Sequence, residues 1–229
     1  MSTICRQLKI TAEDGKAYKT DCINEDGIRT SLLLLPAAKQ KLFLKWIRGY
    51  SDPIDEQSKR KAYEFYENSI LDNTETGTIR GLQQIHACLF EGLYDFAGTI
   101  RTKNISKGGF TFANCLFFDE IFKKIESMPD ETIDEILDKY VEMNIAHPFM
   151  DGNGRATRIW LDVLLKSRLQ RCVDWQKIDK KKYLHAMEES TIDPGEIHSL
   201  IKDALTEDIN NREIFLKGID YSYYYEEIE

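Results

Sequence analysis

The 229-residue chain has no apolar run of 18 residues or more, so nothing in it reads as a membrane span. Its one conspicuous apolar cluster, Leu32-Leu33-Leu34-Leu35, is short and follows a charged lead, which does not match a secretory signal. It has no CxxC spacing. The five cysteines (Cys5, Cys22, Cys88, Cys115, Cys172) are scattered and odd in number, which excludes the usual zinc patterns and points to reduced thiols in a cytoplasmic protein. It has no surplus of positive charge. With 31 Lys and Arg against 39 Asp and Glu, the net charge is −8, which argues against a surface for nucleic acid. A phosphate ligand would need a local site, and that site is not a Walker A loop, because GxxxxGK[ST] is absent. Internal repeats and low-complexity segments are missing too. What is present, 42% hydrophobic and 31% charged residues, suits a helix-rich domain with a proper core and room for a small appendage.

The first fifty residues differ from the rest. Cys5–Ile10 and Ala17–Ile23 flank the turn Glu13-Asp14-Gly15 and predict two short strands. Pro36 opens a predicted helix to about Arg48, and Gly49-Tyr50-Ser51-Asp52 then closes an N-terminal extension, residues 1–51. Helices are expected next over Ile54–Leu71 and Gly81–Phe96, separated by a polar loop at 72–77. Periodicity fails between Gly98 and Phe112, where Gly108-Gly109 sits between Ile105 and Phe110; this predicts an irregular hairpin, a flap. Helix resumes over Asn114–Met128. Another, started by Pro129-Asp130-Glu131, carries Ile133, Ile136, Leu137, Tyr140, Val141 and Ile145 on one face and delivers the chain to His147. Further helices are predicted over Arg155–Leu169, Lys180–Glu189, Glu196–Ala204 and Ile209–Lys217.

The densest chemistry is His147-Pro148-Phe149-Met150-Asp151-Gly152-Asn153-Gly154-Arg155, followed by Arg158. Pro148 disfavours α geometry at His147, so the helix ends there and leaves an imidazole at its terminus. Histidine is the side chain best placed to accept a proton near neutral pH. Phe149 should anchor the loop in the core. Gly152-Asn153-Gly154 then opens a helix whose first amides have no internal partners, a cradle for phosphate that glycine leaves uncrowded. Arg155 and Arg158 lie in that same first turn. Two cations there oppose the helix dipole, which makes sense when an anion is bound between them. Asp151 is a hard oxygen ligand suited to Mg²⁺. A zinc site from His147 and Asp151 is poor, because Pro148 breaks the helix that would align them. Of the other histidines, His86 reads as an ordinary core or surface imidazole, and His185 and His198 have no partner pattern.

The stretch resembles the signature of the Fic family, HPFx[D/E]GNGRxxR, at every fixed position. The likeness extends to Asn104-Ile105-Ser106-Lys107-Gly108-Gly109-Phe110 and to the C-terminal SYYYE, covering roughly residues 52–229. It implies an all-α fold, a helical bundle with a β-hairpin flap: the N-terminal extension 1–51, a catalytic core 52–217 and an inhibitory helix 218–229. It implies transfer of AMP from ATP to a Tyr, Ser or Thr hydroxyl of a protein. His147 would take the proton and Asp151 would hold Mg²⁺. Gly152, Asn153, Gly154 and Arg155 would meet the α- and β-phosphates, and Arg158 the γ-phosphate. Lys107 would touch the nucleotide from the flap. Asn144 either bonds the nucleotide or is a satisfied helix amide. Asn104, Ile105, Ser106, Gly108, Gly109 and Phe110 would register the target by strand addition. Glycine at 154, where the related Doc branch has lysine, favours adenylylation over phosphorylation.

Ser222 and Glu226 are four residues apart and share a helical face. The family's inhibitory motif is [S/T]xxxE[G/N], so the resemblance implies that Glu226 pairs with Arg158 in place of the γ-phosphate. Glu227 departs from that motif. The likeness further implies homo-oligomers, self-modification with Tyr223 as the first candidate, and targets among bacterial topoisomerase subunits. Rival readings are removal of AMP or another phosphate-group transfer at the same site, and a non-catalytic nucleotide-binding regulator, which would have no need of His147.

Overall fold

The structure, a computed structural model, describes residues 5–11, 16–23, 53–68, 70–107 and 110–226. The chain divides into two units, Met1–Pro53 and Ile54–Glu229. In the first, β1 (Cys5–Thr11) pairs antiparallel with β2 (Ala17–Ile23), in register from Cys5 opposite Ile23 to Thr11 opposite Ala17. Both strands were expected. The helix expected from Pro36 lies outside the described residues.

The second unit is helical. Its helices are α1 (Pro53–Glu67), α2 (Ile79–Phe90), α3 (Phe118–Ser127), α4 (Ile133–Ala146), α5 (Asn153–Leu169), α6 (Lys180–Glu189), α7 (Gly195–Asp203) and α8 (Arg212–Glu226). Two tiny antiparallel ladders complete it: β3 (Ser106–Lys107) with β4 (Phe110–Thr111), and β5 (Cys172–Val173) with β6 (Leu205–Thr206). Among the described residues no helix is long and apolar enough to cross a membrane.

The middle of this unit is α5, which packs on both α2 and α4. It is buried on nearly every side, from Asn153 and Arg155 in its first turn to Leu164 and Leu165 further on. A helix enclosed in this way belongs to the centre of a bundle rather than its surface. Trp160, fully buried, donates its indole N–H to the Thr78 carbonyl at 3.0 Å, tying α5 to the start of α2. The start of α4 is set by a capping box: Thr132 and Glu135 each bond the other's backbone N–H.

Four boundaries differ from the periodic reading. The helix predicted to Leu71 stops at Glu67, and a 3₁₀ turn follows over Ile70–Asn73. α2 stops at Phe90 rather than Phe96, because Glu91 is already extended and Gly92 is left-handed, with φ +74°. Residues 114–117 form an Asn114-capped 3₁₀ turn before α3. The last helix neither starts at 209 nor ends at Lys217. It runs without a break to Glu226, so the segment expected to reach back is the final part of α8.

Candidate active site

The helix α4 ends where Pro148 requires. His147 is its C-cap, in the left-handed region with φ 50°, and its N–H still bonds the Met143 carbonyl at 3.2 Å. The carbonyl ends of α4 are gathered by Arg101, which sequence reading missed. Its guanidinium donates to the carbonyls of His147 (2.8 Å), Ala146 (3.1 Å), Ala113 (2.6 Å) and Lys103 (2.7 Å), and its own N–H donates to the Pro148 carbonyl at 2.8 Å. A buried cation at a helix C-terminus, resting on the Phe118 ring, satisfies carbonyls and dipole together.

The His147 ring is fixed on two sides. Its Nδ1 lies 3.2 Å from the Asn144 carbonyl, and Phe112 stacks on its face at 3.7 Å. A carbonyl can only accept, so this bond puts the proton on Nδ1. In the neutral imidazole Nε2 then carries the lone pair, as a general base needs. Asn144 thus serves through its main chain. Its side-chain amide donates to the Tyr140 carbonyl at 3.0 Å, the satisfied helix amide of the two readings.

After the histidine, Phe149 is fully buried and stacks on His86 at 3.8 Å. Asn153 closes a two-bond ring with it: Oδ1 accepts the Phe149 N–H and Nδ2 donates to the Phe149 carbonyl, both at 2.8 Å. The Asn153 side chain therefore shapes the loop, and only its backbone amide faces a cradle. Gly152 caps α5 with φ +75°. A Cβ there would run into the Phe90 ring, 2.6 Å from Cζ.

His86 is a core imidazole, as expected, and both its ring nitrogens are bonded. It accepts the Gly98 N–H on Nδ1 and faces the Asp151 carbonyl with Nε2, both at 2.9 Å. The first bond places its one proton on Nε2, which donates to Asp151. Burial pushes its pKa down to about 4, so it stays neutral. Tyr94 donates to Asp151 Oδ2 at 2.6 Å, and the Gly152 N–H to Oδ1 at 2.7 Å. Burial, and then the Asp151 carboxylate, holds the Tyr94 hydroxyl well above its ordinary pKa, so it remains a donor. Neither residue could have been picked out by spacing, since each acts on a loop far along the chain.

Of the two arginines near the start of α5, Arg155 in its first turn and Arg158 in its second, Arg158 is the more enclosed. Nε donates to Ser222 Oγ at 2.8 Å, and Nη2 donates to the Ser222 carbonyl and to Glu226 Oε1, both at 2.7 Å. The rings of Tyr183 and Tyr225 lie 5.6 and 5.4 Å from its guanidinium carbon. Burial opposes its charge, but Tyr183 and Glu226 more than offset this, and its pKa is raised. The contact expected between Arg158 and Ser222–Glu226 is therefore present. The Glu226 carboxylate lies directly over Gly154, so a Cβ on residue 154 would overlap Oε1. Tyr225 pins this end of α8 by donating to the carbonyls of Trp175 (3.0 Å) and Ile178 (2.9 Å), and Asp162 fixes Trp175 by accepting its indole N–H at 2.8 Å. A cavity of about 680 Å³ runs behind Arg158 along α5, lined also by Asp162, Lys166 and Ser222, with neither His147 nor Asp151 in its wall.

Arg155 is held by Asp55 and reaches Asp151 at 3.4 Å. The flap reads as expected in outline, with Ser106 opposite Thr111 and Lys107 opposite Phe110. The Lys107 side chain, Gly108, Gly109 and Glu227 lie outside the described residues. Ile105 accepts the Phe112 N–H at 3.2 Å, while Asn104 Oδ1 accepts the Cys115 N–H at 3.0 Å. Tyr223 is buried and its hydroxyl donates to Ser58 at 2.8 Å. Burial pushes its pKa up to about 12.

A histidine at the end of α4, a two-glycine start to α5 and a pair of arginines thus meet at one site. Residues 77–165 match the Fic/DOC family model. The chain is 24% identical over 169 residues to the "Probable protein adenylyltransferase Fic" of Salmonella typhimurium, covering 66% of this chain and 84% of that one. It is 28% identical over 152 residues to the "Protein adenylyltransferase VbhT" of Bartonella schoenbuchensis, covering 58% of this chain but 30% of that one. Among solved structures it resembles BepC of Bartonella tribocorum, determined with bound AMPPNP, at a TM-score of 0.57 and 19% identity, over 68% of this chain and 85% of that one. The Fic domain of Bep8 from Bartonella sp. 1-1C aligns at a TM-score of 0.60 and 16% identity, over 71% and 87%. These likenesses fix the helical fold.

Proposed function

We propose that this chain transfers AMP from ATP to a Tyr, Ser or Thr hydroxyl of a protein, and that the end of α8 inhibits it. The observation that carries the reading is the His147 ring, held on Nδ1 by the Asn144 carbonyl beside an arginine-lined helix start. Relatives named as protein adenylyltransferases, and the AMPPNP bound to BepC, support it.

The target hydroxyl gives its proton to His147 Nε2 as its oxygen attacks the α-phosphorus. The bond to the bridging oxygen breaks and pyrophosphate leaves. The open amides at the start of α5 and the Arg155 guanidinium stabilise the phosphate charge, with electrostatics already in place before reaction. Phe112 keeps the imidazole in one plane. The donor set fits Mg²⁺. Asp151 offers a half-exposed carboxylate, and no group of three or more acidic, His or Cys residues exists among the described residues to form a cage. That suits an ion bound mainly by phosphates and water. Asp151 would hold it, and it would neutralise charge on the leaving pyrophosphate. Tyr94 and the Gly152 N–H keep that carboxylate in place, and His86 holds the Asp151 main chain.

Inhibition follows from Glu226. Its carboxylate occupies Arg158, the group read as the γ-phosphate partner, and overhangs Gly154. Within the same reading, the target's main chain adds to the flap edge, copies of the chain assemble and stabilise α8, and topoisomerase subunits are the first targets to try. Self-modification of Tyr223 requires α8 to leave its seat, because the hydroxyl is bonded to Ser58. The test is incubation of the Glu226→Gly variant with a bacterial lysate and ATP labelled on either the α- or the γ-phosphate. Protein-bound label from the α-phosphate alone is the expected result. Label from the γ-phosphate alone would mean a kinase, and label from neither, in a variant that binds AMPPNP, would end the proposal.

A further inference from the structure

Both arginines at the start of α5 are held by a carboxylate from a distant element. Glu226 holds Arg158. Asp55, in the first turn of α1, holds Arg155, and nothing said so far gives Asp55 a role. The partners are unequal. The Arg155 side chain is 5% exposed and the Asp55 side chain 50%. An exposed carboxylate is solvated and needs no partner, whereas a buried guanidinium does. The pairing therefore serves the arginine.

Arg155 is otherwise poorly satisfied. Phe90 and Tyr223 cover its guanidinium, with ring centroids at 4.8 and 5.5 Å. Its Nη2 reaches Asp151 only at 3.4 Å, and Nε is buried without a hydrogen-bond partner. A planar fork of five donors suits a phosphate, which can take several of them at once. Burial works against the Arg155 charge, yet Asp55, then Asp151, Tyr223 and Glu226, raises its pKa above the ordinary value.

We propose that Asp55 is a stand-in anion on Arg155, which a nucleoside polyphosphate must displace. The inference rests on reading Arg155 as a phosphate ligand. Its consequence reaches α8. Ser58, one turn along α1 and fully buried, donates to the Asp55 carbonyl at 3.2 Å and accepts from Tyr223 at 2.8 Å. The next residue, Lys59, meets Asp220 at 2.7 Å, and one turn further Tyr63 also donates to Asp220. The turn of α1 that gives up Arg155 is thus the turn that seats the end of α8. The competition takes place at Asp55, and phosphate binding loosens the helix that carries Glu226.

The experiment measures AMPPNP and inorganic pyrophosphate binding by calorimetry in four proteins: wild type, Asp55→Asn, Glu226→Gly and the double variant. Removing a half-exposed competing charge at a buried cation should tighten both probes about five-fold, equivalent to about 1 kcal/mol. Asp55→Glu, which keeps the charge, should bind as wild type does. Affinity that is unchanged or weaker in Asp55→Asn, in a protein that melts as wild type, overturns the inference and makes Asp55 a residue that aligns Arg155. Because the readout is binding, it is independent of the transfer reaction. Tighter binding with no transfer of label in any variant would sustain this inference and remove the adenylylation reading.

Discussion

Two glycines two residues apart, Gly152 and Gly154, should respond to alanine very differently. At Gly152 the backbone is left-handed, with φ +75°, a conformation that costs an L-residue about 1–2 kcal/mol. The new methyl would also overlap the Phe90 ring and come within 3.3 Å of His86 Nε2, and both rings are fully buried. Such overpacking adds about 1–3 kcal/mol. The total is about 2–5 kcal/mol, and a chain of this size should melt on the order of 10 °C lower. At Gly154 the backbone is helical, where alanine gains up to about 1 kcal/mol. The obstacles there are the ends of flexible side chains, Glu226 Oε1 and, 3.0 Å away, Arg158 Nη1. Glu226 is 26% exposed and can swing aside, giving up one charge-assisted bond worth about 1–2 kcal/mol after solvent screening. Global stability should therefore hardly change. Local protection should fall, with amides of residues 222–226 exchanging about 5–30 times faster in Gly154→Ala. Urea melts and amide hydrogen exchange read the two effects separately. If Gly154→Ala is destabilised as much as Gly152→Ala, or if exchange at the end of α8 is unchanged, the placement of Glu226 over Gly154 is wrong.

His86 makes stability depend on acid. Its folded pKa of about 4 lies below the unfolded value near 6.5, so its contribution is complete above pH 6.5 and is lost as the pH falls toward 4. The loss is on the order of 3 kcal/mol. Urea melts at pH 7 and pH 4.5 should show that slope in wild type and a reduced one in His86→Asn; equal slopes would contradict the assignment. Arg101→Gln should leave the carbonyls of His147, Ala146, Ala113 and Lys103 without this donor, the Ala146 bond being fully buried, lowering stability by about 1–3 kcal/mol. Limited proteolysis should then cut first at residues 104–111, and unchanged cleavage there would show that Arg101 does not hold the flap.

What could be read in advance was whatever acts locally. The end of α4 at His147 follows from Pro148, and the start of α5 from Gly152-Asn153. Four-residue spacing put Ser222 and Glu226 on one helical face, and their meeting with Arg158 was expected only from the resemblance to the Fic family's inhibitory motif. The residues that hold the loop in place were not visible. His86 and Arg101 bond main-chain atoms across the fold, Asn153 bonds the main chain of its own loop, Tyr94 and Asp55 bond side chains far along the chain, and no periodicity records any of these. His86 looked ordinary because an imidazole on an apolar helix face usually is. The length of α8 was misjudged because the local pattern was read only to Lys217, whereas Tyr225 packs on Trp175 and Tyr183 and carries the helix on to Glu226. α2 was overextended because Leu93 and Phe96 continue its apolar pattern past the left-handed Gly92.

The central claim is that His147 runs the transfer and Glu226, seated on Arg158, stops it. The most direct measurement is the initial rate of protein labelling from α-phosphate-labelled ATP, compared across wild type, Glu226→Gly and Glu226→Gly with His147→Ala. The account predicts a slow wild type, a single variant at least ten-fold faster, consistent with loss of a buried charge-assisted contact, and a double variant at background. A single variant no faster than wild type would contradict the inhibition, and a double variant as fast as the single would contradict the role of His147.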